Sequence, residues 1–70
     1  MNIIEAIQER CNFLREHVIP EYDKLGLPGV LGAALLRQDV VKAEAVIASG
    51  DTTQMIGTLA ALRETCERAL

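Results

Sequence analysis

Few side chains in this sequence could act as nucleophiles or general bases. The chain has one serine, Ser49, one histidine, His17, and two cysteines, Cys11 and Cys66. Nucleophilic catalysis needs a nucleophile, a base and a group that orients the base, and no spacing here indicates such a set. Both cysteines fall at apolar positions of a helical pattern, where a free thiol behaves as a small hydrophobic side chain. The sequence permits a disulfide between Cys11 and Cys66 but does not require one. We predict no catalytic residues and no enzyme activity.

Metal ligands are equally scarce. His17 and Glu21 are four residues apart and could lie on one helix face, but a zinc site takes three or four protein ligands. Two chains could supply four ligands around a symmetry axis, yet the spacing matches no known ligand pattern. We therefore expect a solvated surface pair, with no metal and no cofactor.

The connection between the first two predicted helices carries the best candidate for a ligand site. It holds the only tyrosine, Tyr22, which could stack on a base, and Lys24, which could contact a phosphate. It leads to Gly29 near the start of the next helix, where unpaired N–H groups and the helix dipole favour an anion. Arg37 could add charge from a neighbouring chain. The glycines match no phosphate-binding loop, so an ordinary turn with Tyr22 covering the core is the favoured interpretation.

Three predicted helices position these side chains. Apolar residues recur every three or four positions over about residues 3–24, 28–49 and 52–69, as in amphipathic helices. Asn2 and Asp51 are the expected N-caps, and the second is followed three residues later by a glutamine, as in a capping box. No segment has the period of a strand.

Glycine and proline define the connections between the helices. Gly26 and Gly50 are expected to end the first and second helices. Pro20 lacks an N–H group and disfavours helix at the preceding residue, so we predict a kink near it, or a break followed by one further turn. Short connections make sequential helices antiparallel neighbours. The fold class is therefore all-α, a three-helix bundle or a helical hairpin.

Composition and charge exclude several classes of protein. The chain has 70 residues, of which 50% are hydrophobic and 3% aromatic, and its formal net charge is -3. This length indicates one domain, residues 1–70. The acidic balance argues against general nucleic-acid binding, which depends on clustered Lys and Arg. The N-terminus lacks a signal-peptide pattern, and the longest charge-free stretch, 25–36, is shorter than the roughly 20 residues that span a bilayer. We expect a small acidic cytoplasmic protein with no membrane association.

The core of a single chain would be thin, because alanine supplies much of the hydrophobic content and aromatic residues are few. One core in a domain of this size rarely contributes more than ~3–5 kcal/mol. The second helix is apolar all round at its start, and its glycines would let another helix approach closely. Close packing within one chain is the alternative. We predict that homo-oligomerisation completes the fold through an interface at Gly29, Val30, Leu31, Gly32, Leu35 and Leu36.

Two functions from different classes fit these features of the sequence. The leading hypothesis is a small non-enzymatic helical module for protein–protein interaction, which acts as a homo-oligomer and binds another, unknown protein as an adaptor, regulator or inhibitor. The alternative is an oligomeric binder of a small anionic ligand, such as a nucleotide, through the turn at residues 22–29. The absence of a catalytic set places an enzyme behind both.

Overall fold

The helices of the chain begin and end close to where the sequence predicts. The computed structural model describes residues 2–69, and every regular element in that range is helical. The elements are α1 (Ile3–Phe13), a π-helical turn (Leu14–Val18), α2 (Ile19–Lys24), α3 (Leu27–Ser49) and α4 (Thr52–Ala69). The first three run on without a break. The all-α prediction and its three helical segments are confirmed.

Two side-chain caps set the first residues of α1 and α4. Asn2 Oδ1 accepts a hydrogen bond from the backbone N–H of Glu5 at 2.8 Å. Asp51 Oδ1 accepts one from the N–H of Gln54 at 3.1 Å. Each cap satisfies an N–H group that has no partner within its own helix. Both predicted N-caps are confirmed.

Removing the cap of α4 is expected to lower stability measurably. Asp51→Ala leaves the N–H of Gln54 without its acceptor, so the free energy of unfolding should fall by about 1 kcal/mol. Urea unfolding followed by circular dichroism measures this change. Asp51→Asn keeps the acceptor oxygen and should lose much less, so equal losses in the two variants would contradict the capping role.

The N-terminal helix continues through Pro20 because a wider turn precedes it. Within the π-helical turn, the N–H of Ile19 bonds to the carbonyl of Leu14, five residues earlier. A proline inside a helix cannot donate a hydrogen bond, and its ring crowds the carbonyl four residues before it. The π turn relieves that crowding locally. The irregularity that the sequence predicts near Pro20 is therefore the π-helical turn just before it. Val18 and Ile19 remain buried.

Two glycines with positive φ connect the helices. Gly26 has φ 75° and precedes α3, and Gly50 has φ 73° and ψ 10° after α3. The second is the left-handed conformation that commonly ends a helix. Both predicted ends are confirmed. Because these connections are short, α3 returns along the N-terminal helix and α4 turns back along α3.

The helices bury one shared core. Packing is most extensive between α1 and α4 and between α2 and the first half of α3. Small residues reach its centre, since Ala33 and Ala43 are fully buried beside larger side chains such as Ile7 and Leu14. The buried core cluster consists of Ile7, Cys11, Leu14, Val18, Ile19, Ala33, Leu36, Val40, Ala43, Met55, Leu62 and Cys66.

Candidate interaction surface

Helix α3 has apolar side chains on two opposite faces, and only one of them is covered. Ala33, Leu36, Val40 and Ala43 face the other helices and are buried. The opposite side, here called the outer face of α3, consists of Leu27, Leu31, Ala34, Leu35, Gln38, Val41 and Lys42. The exposed residues Ala45 and Ala48 continue it to the end of the helix.

The outer face exposes large apolar side chains to water. Leu27 is 87% exposed, Leu31 76%, Leu35 63% and Val41 66%. Together these four leave on the order of 500 Å² of surface in solvent, near the upper end of the largest apolar patch on a typical monomer. Patches of this size commonly mark interaction sites. Lys42 is the one charged residue of the outer face, four positions after Gln38 and seven after Leu35.

Between Leu31 and Val41 the surface of α3 forms a shallow depression. Its volume is about 510 Å³. Leu31, Leu35 and Val41 line it, with the Arg37 side chain along one edge. Lys42 is exposed nearby on the same helix. The depression is open to solvent along its length, so it suits the side chains of another helix better than an enclosed small molecule.

The glycines predicted to lie in an oligomer interface instead bring α2 and α3 of one chain together. A Cβ atom at Gly29 would overlap the backbone carbonyl oxygen of Tyr22. A Cβ atom at Gly32 would lie 2.5 Å from Cδ2 of the Tyr22 ring. Gly29 is buried and Gly32 half-buried. The close packing made possible by these glycines is therefore intramolecular.

The predicted interface needs a correction in three of its six residues. Gly29 and Leu36 lie in the interior, and Gly32 lies beneath Tyr22, so none of them presents a free surface. Val30, Leu31 and Leu35 are exposed as an interface requires. The additional exposed residues of the outer face were missed at the sequence level. Their signal was the spacing of four between Leu27, Leu31 and Leu35, which lie outside the buried positions of α3.

The residues proposed for an anion site are brought into one region, but their charges already have partners. Lys24 Nζ lies 3.1 Å from Glu21 Oε1, and Arg37 Nη2 lies 2.6 Å from Asp23 Oδ2. Tyr22 is half-buried with its ring against Gly32. The interpretation of an ordinary helix-to-helix turn, with Tyr22 covering the core, accounts for these contacts.

A second ion pair joins the N-terminal helix to α3. Arg15 donates to the Glu44 carboxylate and also reaches Asn12 Oδ1 at 3.4 Å. The pair lies between two open grooves where the N-terminal helix meets α3, each of about 420 Å³. Both side chains of the pair are about half exposed, so solvent screening limits its contribution to stability.

Both cysteines are buried and free. Cys11 is 3% exposed and Cys66 2% exposed. Burial raises the pKa of the Cys11 thiol, the Glu44 carboxylate raises it further, and the Arg15 guanidinium acts in the opposite direction. A reactive thiol needs a lowered pKa and solvent access. Cys11 therefore has the character of a core residue.

The raised pKa of Cys11 predicts a loss of stability in alkaline solution. The folded protein holds this proton more tightly than the unfolded chain, so its contribution is present below the unfolded pKa and disappears as pH rises through the folded pKa. The window starts at about pH 8.5. Urea unfolding from about pH 8 to pH 10 should show a steeper decline for the wild type than for Cys11→Ala. Parallel declines would contradict the assignment.

Other kinds of site find little support among the described residues. Over residues 2–69, no three His, Cys, Asp or Glu side chains cluster as metal ligands. His17 is exposed and packs its ring on Phe13, with centroids 5.6 Å apart. In the same range, no helix is long and apolar enough to cross a membrane. Comparison with protein-family models, curated proteins and solved structures found no match.

Proposed function

We propose that the protein is a small helical interaction module that associates with a second copy of itself through the outer face of α3. The observation that carries this proposal is the exposure of Leu27, Leu31, Leu35 and Val41 along one helix face, whose single charge is that of Lys42. Apolar area removed from water stabilises an association by about 25 cal/mol per Å² before the cost of ordering is subtracted. A second copy would bring an equally apolar face.

Interface size supports this proposal. If the four large side chains of each copy become covered, the pair buries about 1,000 Å², which reaches the lower limit for a specific interface. The alanines and Gln38 add to that area. The paired charges Arg37–Asp23 and Arg15–Glu44 belong to the sides of the bundle, and Lys42 is the single charge that each copy brings to the interface. The association is therefore expected to depend weakly on salt.

Sedimentation equilibrium of the purified chain tests the proposal. At micromolar concentration we expect the mass of a dimer, dissociating on dilution, with little change between low and high salt. A monomer at every concentration would overturn self-association. If the monomer recovers a different protein from host lysate through this face, the occupant is heterologous and the proposed second copy is wrong.

We propose no anion site at the turn of residues 22–29. Both candidate cations already contact carboxylates, Lys24 that of Glu21 and Arg37 that of Asp23. A phosphate would have to displace those acids. No specific observation favours that exchange, so the alternative function remains a hypothesis from sequence only.

A further inference from the structure

We infer that two copies pair antiparallel along α3, with the two-fold axis passing beside Gln38. This inference rests on the proposed self-association and adds its orientation and register. It comes from the distribution of side-chain size along the outer face. The leucines Leu27, Leu31 and Leu35 are in the first half of the helix with the small Ala34, and the second half holds Val41, Lys42 and the small Ala45 and Ala48.

An antiparallel partner matches large side chains with small ones. With the axis at Gln38, positions whose numbers sum to 76 lie at the same height, because both helices rise about 1.5 Å per residue. Leu31 then faces Ala45 of the second copy, Lys42 faces Ala34, and Leu35 faces the somewhat smaller Val41. Alternation of large and small residues lets two helices interdigitate at an even distance.

A parallel pair would fit poorly. Leu31 would meet Leu31 and Leu35 would meet Leu35 at one end, while Ala45 would meet Ala45 at the other. The helices would be held apart at their N-terminal ends and leave unfilled space at their C-terminal ends, and such voids lose packing contacts. Antiparallel pairing also sets the two helix dipoles in opposite directions.

Gln38, the uncharged polar residue of the outer face, suits a position on the axis. Gln38 is exposed and lies near the middle of the face. A glutamine amide carries both a donor and an acceptor, so two copies related by a two-fold axis can hydrogen-bond reciprocally. A register that places each amide against aliphatic side chains would carry the cost of burying an unpaired polar group. Polar residues within apolar helix interfaces commonly fix register in this way.

Disulfide trapping tests the orientation. Leu31→Cys, Gln38→Cys and Ala45→Cys are each made in a chain whose two native cysteines are alanine, and folding is checked by circular dichroism. Under mild oxidation, Gln38→Cys should cross-link to itself. Leu31→Cys and Ala45→Cys should cross-link when mixed, about tenfold or more above either variant alone, because pairing raises the effective concentration of the two thiols.

The other outcomes separate the inference from the proposed function. Self-linking of Leu31→Cys and of Ala45→Cys without enrichment in the mixture would show parallel pairing and overturn the orientation, while self-association stands. A wild-type dimer whose variants never cross-link would overturn this interface, and a wild-type monomer would overturn the proposed function itself.

A charge pair provides a second test if the alanine background does not fold. Leu31→Lys and Ala45→Glu, made with the native cysteines in place, should each dimerise weakly. Their mixture should form a heterodimer, because antiparallel pairing puts the new lysine beside the new glutamate and leaves the second Leu31–Ala45 contact intact. Native mass spectrometry detects the mixed dimer, and its absence would overturn the register.

Discussion

Replacing both Leu31 and Leu35 by glutamate is expected to convert the self-associated protein into a monomer that keeps its helical fold. These side chains are 76% and 63% exposed in the single chain, so the monomer does not need them for its core. In a symmetric pair each substitution occurs twice, and burying a leucine contributes about 1.5–3 kcal/mol. The dissociation constant should rise by at least about 100-fold. Sedimentation equilibrium measures the mass, and circular dichroism the helix content.

Two further variants make this expectation specific. Ile56 on α4 is 61% exposed and lies outside the outer face of α3, so Ile56→Glu is a matched control that should leave the dimer intact. Leu36 is 8% exposed, and Leu36→Glu should unfold the chain because it buries an unpaired carboxylate. An unchanged dimer mass for Leu31→Glu with Leu35→Glu would contradict the assignment of the interface.

Adding a single methyl group at Gly29 is expected to remove a large part of the stability of the fold. The new Cβ atom would overlap the Tyr22 carbonyl oxygen, which is backbone and cannot rotate away. Helices α2 and α3 would have to separate, and overpacking of this kind costs about 1–3 kcal/mol or more. That is a large part of the ~3–5 kcal/mol that a small single core supplies. Thermal unfolding by circular dichroism measures the loss.

The same glycine-to-alanine change on α4 should raise the stability of the protein instead of lowering it. A Cβ atom at Gly57 would meet nothing within 4 Å, and the residue lies inside a helix. Gly57→Ala should therefore stabilise the protein by roughly 0.5–1 kcal/mol, since glycine loses more conformational freedom on folding. If Gly29→Ala proved as stable as Gly57→Ala, the close contact between α2 and α3 would be refuted.

Much of the fold was predictable because it is set by residues close together in the chain. An N-cap depends on a side chain and an N–H group three residues apart, so Asn2 and Asp51 could be identified from sequence. Gly50 ends α3 because its positive φ is a conformation that glycine adopts without strain. Pro20 showed where the first helix would be irregular. The π-helical turn that accommodates it depends on the helix continuing, which follows from packing against α3 and α4.

The sequence by itself determined the helices, their caps and the apolar character of α3, because these follow from local spacing and backbone chemistry. It left open which side of residues 28–36 faces inward, since a segment that is apolar all round has no polar face to mark the solvent side. The tertiary structure decided this through Tyr22, whose backbone and ring fit only over Gly29 and Gly32. That contact turns the glycines inward and leaves Leu31 and Leu35 in water. The candidate interface is therefore a consequence of how α2 packs on α3.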